Sequence, residues 1–174
     1  MAKWVTREHV HVDRVACPWL IRKYIDPEAE FIFVPVEEIE AVVERTGATP
    51  FDAPGVELGH HGDDCSFETF LKKYRLSDPI LQDMARIVHA ADIEKDLSQA
   101  PEAAGLEAIS RGQMYLVRDD QEAVDRGSYI YDCLYSYCLY RRVIEENEDR
   151  IASEDRRKRY RLIRDLMGGR RQPP

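Results

Sequence analysis

The chain has 174 residues, enough for one domain with a sizeable core, with 44% hydrophobic and 33% charged residues and a formal net charge of −8. No run approaches the ~18 apolar residues of a membrane span. The N-terminus lacks the charged-then-apolar pattern of a secretory signal, and the acidic balance sets the surface as a whole against nucleic acid. A cytoplasmic protein with no membrane contact is therefore expected.

Lys3 to Glu8 predicts a first strand, with Trp4 and Thr6 on one side. Pro18 predicts a helix over 18–25, because proline is tolerated at the first helical position, and Asp26-Pro27 closes it. Glu30 to Pro35 is aromatic and β-branched and predicts a second strand. A helix from about Val36 to Arg45 follows, ended by Gly47. Thr49 to Gly55 holds two prolines and reads as a loop, leading into a short third strand, Val56–His60. Helices are then expected near Ser66–Tyr74, from Asp78-Pro79 to about Lys95, and from Pro101 to Gly112. Further helices are expected at about Gln121–Arg126 and Tyr129–Asn147. In the helix after Asp78, Ile80, Met84, Ile87, Val88 and Ala91 form the buried stripe. In the last helix Tyr131, Leu134, Tyr135 and Cys138 share one side, a stripe that fits core or a homodimer seam. The fold class that results is α+β: a small three-stranded βαβαβ-type sheet in the N-terminal half, packed against a larger set of C-terminal helices. Residues 1–150 form one domain, and 151–174 a basic helical tail crowded with arginines.

Four groups of residues could carry chemistry. With Pro18 at the first helical position, Cys17 would cap the helix. The partial positive charge there and the flanking Arg14 and Arg22 favour a thiolate or a bound oxyanion. The plainer alternative is that Cys17 is a small buried hydrophobe. Cys65, before Ser66, stands at a second helix start. Glu57, His60 and His61, followed by Asp63 and Asp64, offer ligands suited to zinc, manganese or iron, provided Gly59 breaks the strand. His89 and Asp92 share a helix face and could complete such a site. The four cysteines show no CxxC spacing, so free thiols are expected. No Gly-rich phosphate motif is present, so no nucleotide cofactor is expected.

With these residues in view, the sequence resembles the C-terminal domain of the chromate-resistance protein ChrB, a bacterial family. The similarity is carried by Trp4–Glu8, Val12–Arg22, Ala29-Glu30-Phe31, Pro50–His60, Cys65-Ser66-Phe67, Ala91-Asp92 and Ala100–Leu106. These blocks run in family order from residue 4 to about 140. The resemblance implies a link to chromate resistance or sensing. It also implies weight on Glu57, His60, Cys65 and Asp92, and less on His61 and His89, where the family accepts other side chains. Some members carry a further N-terminal region associated with transcriptional regulation. This chain starts at the matching domain, so a DNA-binding role is not carried over.

The expectation is a metal-associated or redox-active protein of the chromate-stress response. Glu57, His60 and Asp92 would hold a divalent transition metal, with Cys17 and Cys65 as catalytic thiols. Asp13, Arg14 and Arg22 would bind a small oxyanion. The alternative is a non-catalytic chromate sensor or an interaction module working with a transcriptional regulator.

Overall fold

The computed structural model describes residues 2–170; Arg171 and the rest of the tail lie outside them. Three strands, β1 (Lys3–Arg7), β2 (Glu30–Val34) and β3 (Thr49–Pro50), form a parallel sheet in the order β2-β1-β3. Helices α1 (Val12–Tyr24) and α2 (Ile39–Thr46) make the two crossovers, so the βαβαβ order and the α+β class hold. After these come α3 (Ser66–Lys73), α4 (Pro79–Asp92), α5 (Ala103–Gln113), α6 (Asp120–Glu146), α7 (Glu148–Ala152) and α8 (Arg156–Gly168). No helix among the described residues is long and apolar enough to cross a membrane.

Strand alternation divides the core. Val5 faces Ile39, Val42 and Ala48, where α2 covers one side of the sheet. Trp4, Phe31 and Phe51 face the other side and join the main core, built with α1, α3, α4, α5 and α6. Gly47 ends α2 at φ 69°, the left-handed conformation that glycine adopts without steric cost.

Several boundaries depart from expectation. The third strand is Thr49–Pro50, in the segment read as a loop, while Val56–His60 contributes a single bridge, Leu58 to Phe51. A two-residue edge strand can include a proline, because few ladder hydrogen bonds are required of it. Helix α1 begins at Val12, six residues before Pro18. The buried residues Val12, Val15, Ala16 and Trp19 follow helical spacing from that point, and this face outweighs the proline. Cys17 is therefore inside the helix and not its cap. Helix α4 stops at Asp92 and gives way to a 3-10 segment, Glu94–Gln99.

The two helices expected around Gly127 are one, α6. Gly127 does not break the helix; it lets α1 approach. A Cβ built there would sit 2.4 Å from Cγ1 of Val15. Along α6, Tyr131, Tyr135 and Cys138 are buried. Trp19 lies 6.4 and 6.2 Å from the Tyr131 and Tyr135 rings and donates through Nε1 to Asp132. The tyrosine stripe is core.

Candidate metal centre

In the order β2-β1-β3 the chain winds first to one side of β1 and then to the other. The crevice outside the carboxyl ends of β1 and β3 is thus a topological switch point, where open parallel sheets bind ligands. Arg7 ends β1, Asp13 and Arg14 lie in the first turn of α1, and Asp52 follows β3. His60 comes from the loop before α3 and Asp92 from the last position of α4.

His60 Nε2 is 3.5 Å from Asp13 Oδ2, 3.3 Å from Asp52 Oδ1 and 3.3 Å from Asp92 Oδ2. One ring N–H cannot serve three acceptors well. Asp13 is 1% exposed and reaches the start of α3, where Ser66 N donates to Oδ2 at 2.6 Å and Phe67 N lies at 3.4 Å. A carboxylate is stabilised by a helix N-terminus. Asp13's own N–H donates to Asp92 Oδ1 at 3.2 Å, so the starts of α1 and α3 and the end of α4 are tied together.

Asp52 is also buried and takes φ 43°, a conformation unusual for any residue but glycine and met more often in aspartate. It accepts from Ser66 Oγ at 2.6 Å, Arg14 at 3.0 Å and Arg7 at 3.1 Å, and Arg7 Nε also donates to its carbonyl. Gly59 makes the loop before His60 possible, since a Cβ there would lie 2.8 Å from the Ala53 carbonyl oxygen. Arg7, Asp52, Ala53, Pro54, Gly55 and His60 line an open cleft of about 220 Å³.

The electrostatics follow from three carboxylates around one imidazole. Complete burial pushes Asp13 up to about 7, against the pull of His60 and with the help of Asp92 and Asp52. Hydrogen bonds to the carboxylates of Asp13, Asp52 and Asp92 push His60 up to about 12. Burial works to raise Asp52, but its bonds from His60 and Ser66 and the two guanidiniums hold it below the usual carboxylate range.

One ligand atom each from Asp13, His60 and Asp92 lies within 4.8 Å of the others. His60 and Asp92 thus come together as expected, but Glu57 does not join them. Its carboxylate is exposed and paired with Lys73. Asp13, read as a substrate contact, takes its place. His61 points to the Glu57 carbonyl, 2.7 Å away, and Asp64 pairs with Lys72.

Arg14 is committed to Asp52 and to the carbonyl of His9. Arg22, about two turns further along α1, is paired with Asp125 at 2.8 Å and lies over the Phe31 ring. The arginine-flanked oxyanion site imagined at Cys17 is not assembled. Cys17 is fully buried, and burial, then the nearby Asp13 and Asp52, push its thiol well above the ordinary value. Its place inside the helix and its burial both work against the depressed pKa expected for it. Cys65 does stand before α3, its N–H donating to Glu68 Oε2 at 2.9 Å, but it too is buried and its thiol is pushed up by burial.

Asp52 and Arg7 went unremarked in the sequence. Aspartate in a Pro-Phe-Asp-Ala-Pro segment reads as a turn residue, and nothing local joins it to Arg7 or Asp13.

Fold and site together define a small α+β domain with a carboxylate–histidine centre at the carboxyl edge of a parallel sheet. The model of the family "ChrB, C-terminal domain" matches residues 4–138, a span that contains every residue of this centre. The chain belongs to that family. Protein ChrB of Cupriavidus metallidurans is 35% identical over 136 residues, which cover 78% of this chain and 40% of that protein. The chain thus spans less than half the length of this relative. No solved structure matches.

Proposed function

We propose that this protein binds a divalent transition metal through Asp13, His60 and Asp92, and serves through that metal in the chromate resistance to which its family relates. The observation that carries the reading is the convergence of Asp13, His60 and Asp92, whose ligand atoms lie within 4.8 Å of one another, with His60 Nε2 3.5 and 3.3 Å from the two carboxylate oxygens. Ligand atoms bound at about 2.1 Å to a tetrahedral metal are separated by about 3.4 Å. The His60 spacing is therefore what a metal needs, and a single N–H makes poor use of it.

Charge supports a cation over a free oxyanion. Once a metal displaces the His60 proton, Asp13, Asp52 and Asp92 set three carboxylates against the two guanidiniums of Arg7 and Arg14. With that proton in place the charges balance, and a free chromate dianion meets no net attraction. Nitrogen and oxygen donors suit zinc, manganese or iron. Arg7, 38% exposed at the rim of the cleft, is placed to meet an oxyanion drawn to a bound metal. Chromate sensing is thus the second reading, with the metal as its prerequisite.

The test is metal content of untagged protein after loading with zinc, manganese or iron and removal of excess. Wild type should retain metal at the centre, and His60→Ala and Asp92→Asn should each lose one equivalent while remaining folded. Glu57→Ala should match wild type. Wild type that retains no metal, or a His60→Ala variant that retains as much as wild type, overturns the reading.

A further inference from the structure

A second set of ligating side chains lies beside the first and shares no residue with it. Cys65, wholly buried at the start of α3, donates its N–H to Glu68 Oε2 at 2.9 Å. The same oxygen lies 2.7 Å from His89 Nδ1. One ligand atom from each of Cys65, Glu68 and His89 falls within 4.8 Å of the others. Sulfur, nitrogen and oxygen are the three donor types that zinc accepts.

The surroundings resemble those of a metal ligand. The far nitrogen of His89, Nε2, is 3.3 Å from Asp96 Oδ2. A ligating histidine almost always donates its other ring N–H to a carboxylate or carbonyl, which fixes the tautomer and strengthens the ligand. Asp96 comes from the 3-10 segment after α4, so the early end of that helix at Asp92 brings it back over His89. The His89 and Glu68 side chains are 15% and 24% exposed, which leaves a route from solvent. Glu68 Oε1 accepts no hydrogen bond among the described residues and is available to a cation.

We propose that Cys65, Glu68 and His89 form a second metal site, for a zinc-class divalent cation. On binding, the Cys65 S–H and His89 Nδ1–H bonds break, both protons leave to solvent, and sulfur–metal and nitrogen–metal bonds form with no change of oxidation state. The Glu68–His89 hydrogen bond gives way to two bonds to the metal. Asp96 keeps its place on Nε2 and acts as a positioning residue. The two sites adjoin because His89 and Asp92 are three residues apart on α4, and Cys65 and Ser66 are consecutive. The proposal does not depend on the Asp13 centre being occupied.

Cobalt(II) added to the whole, metal-free chain gives the test, because only a thiolate ligand produces a near-ultraviolet sulfur-to-cobalt charge-transfer band. Wild type should take up two equivalents and show the band. Cys65→Ser and His89→Ala should lose the band and one equivalent. Cys17→Ser and Cys133→Ser should keep both. His60→Ala should lose one equivalent and keep the band, which separates this site from the first. Should Cys65→Ser fail to fold, Glu68→Gln, which can still accept the Cys65 N–H, should weaken cobalt binding at the band at least tenfold. Wild type without the band, or a band that survives Cys65→Ser, overturns the proposal.

Discussion

At the scale of single residues, burial decides the chemistry of the thiols. Cys17, Cys65 and Cys138 are buried and Cys133 is exposed. Burial raises Cys17, Cys65 and Cys138 above the ordinary thiol value, so the nucleophilic thiolate is scarce at neutral pH. In the metal-free protein, iodoacetamide near pH 8 should therefore alkylate one thiol rapidly, and Cys133→Ser should abolish that fast phase. The remaining three should react only when the protein unfolds. Peptide mapping that finds Cys17 modified in the folded protein would restore the reactive-cysteine reading. The sequence placed Arg14 and Arg22 beside Cys17 but held no sign that each guanidinium already had a carboxylate, Asp52 and Asp125, brought from 38 and 103 residues away.

At the scale of elements, the contact of α1 with α6 rests on Gly127. Alanine is the better helix former by about 1 kcal/mol, so propensity favours Gly127→Ala. Packing opposes it, because the new Cβ would lie 2.4 Å from Val15 Cγ1. Overpacking a core costs about 1–3 kcal/mol and should win. We expect Gly127→Ala to lower the urea midpoint, with a net loss of up to about 2 kcal/mol, and Val15→Ala in the same chain to recover part of it. Such recovery would measure the coupling directly. A stabilised single mutant would show that α1 can shift away without cost. The break expected between Arg126 and Tyr129 falls at this glycine. Gly-Ser in a polar stretch is a turn signal, and only the partner helix shows that the missing side chain makes room.

For the molecule as a whole, the acidic body and the basic tail are joined through α8. Leu166 and Met167 pack against the main core, and Arg170 pairs with Glu146. The arginines of α8 itself are exposed. We propose that the tail serves cohesion and solubility more than recognition. Ending the chain after Glu154 should leave metal uptake unchanged and cost about 1–3 kcal/mol from the apolar contacts removed. Light scattering should show more self-association. DNA binding by the full chain should be weak, indifferent to sequence and steeply reduced by salt, as counterion release requires. Tight binding to one DNA sequence at physiological salt, lost on truncation, would favour a regulator instead.

The sequence by itself determined the alternation of strand and helix through Thr46, the apolar stripe of α4, the glycine stop after α2 and the family resemblance from residue 4 onward. Each of these is written in local spacing or in consecutive residues, and the structure keeps them. It also marked His60 and Asp92, because ligand types beside a glycine or on a polar helix face stand out locally. Tertiary structure alone decided which groups complete the centre. Glu57 lies three residues from His60 yet pairs with Lys73, while Asp13, 47 residues away, comes to 3.5 Å. It also parted His89 from Asp92, sending one to Glu68 and the other to His60. Proximity in a folded chain depends on where helix ends converge on a sheet edge, and the spacing of residues along the chain does not encode that convergence.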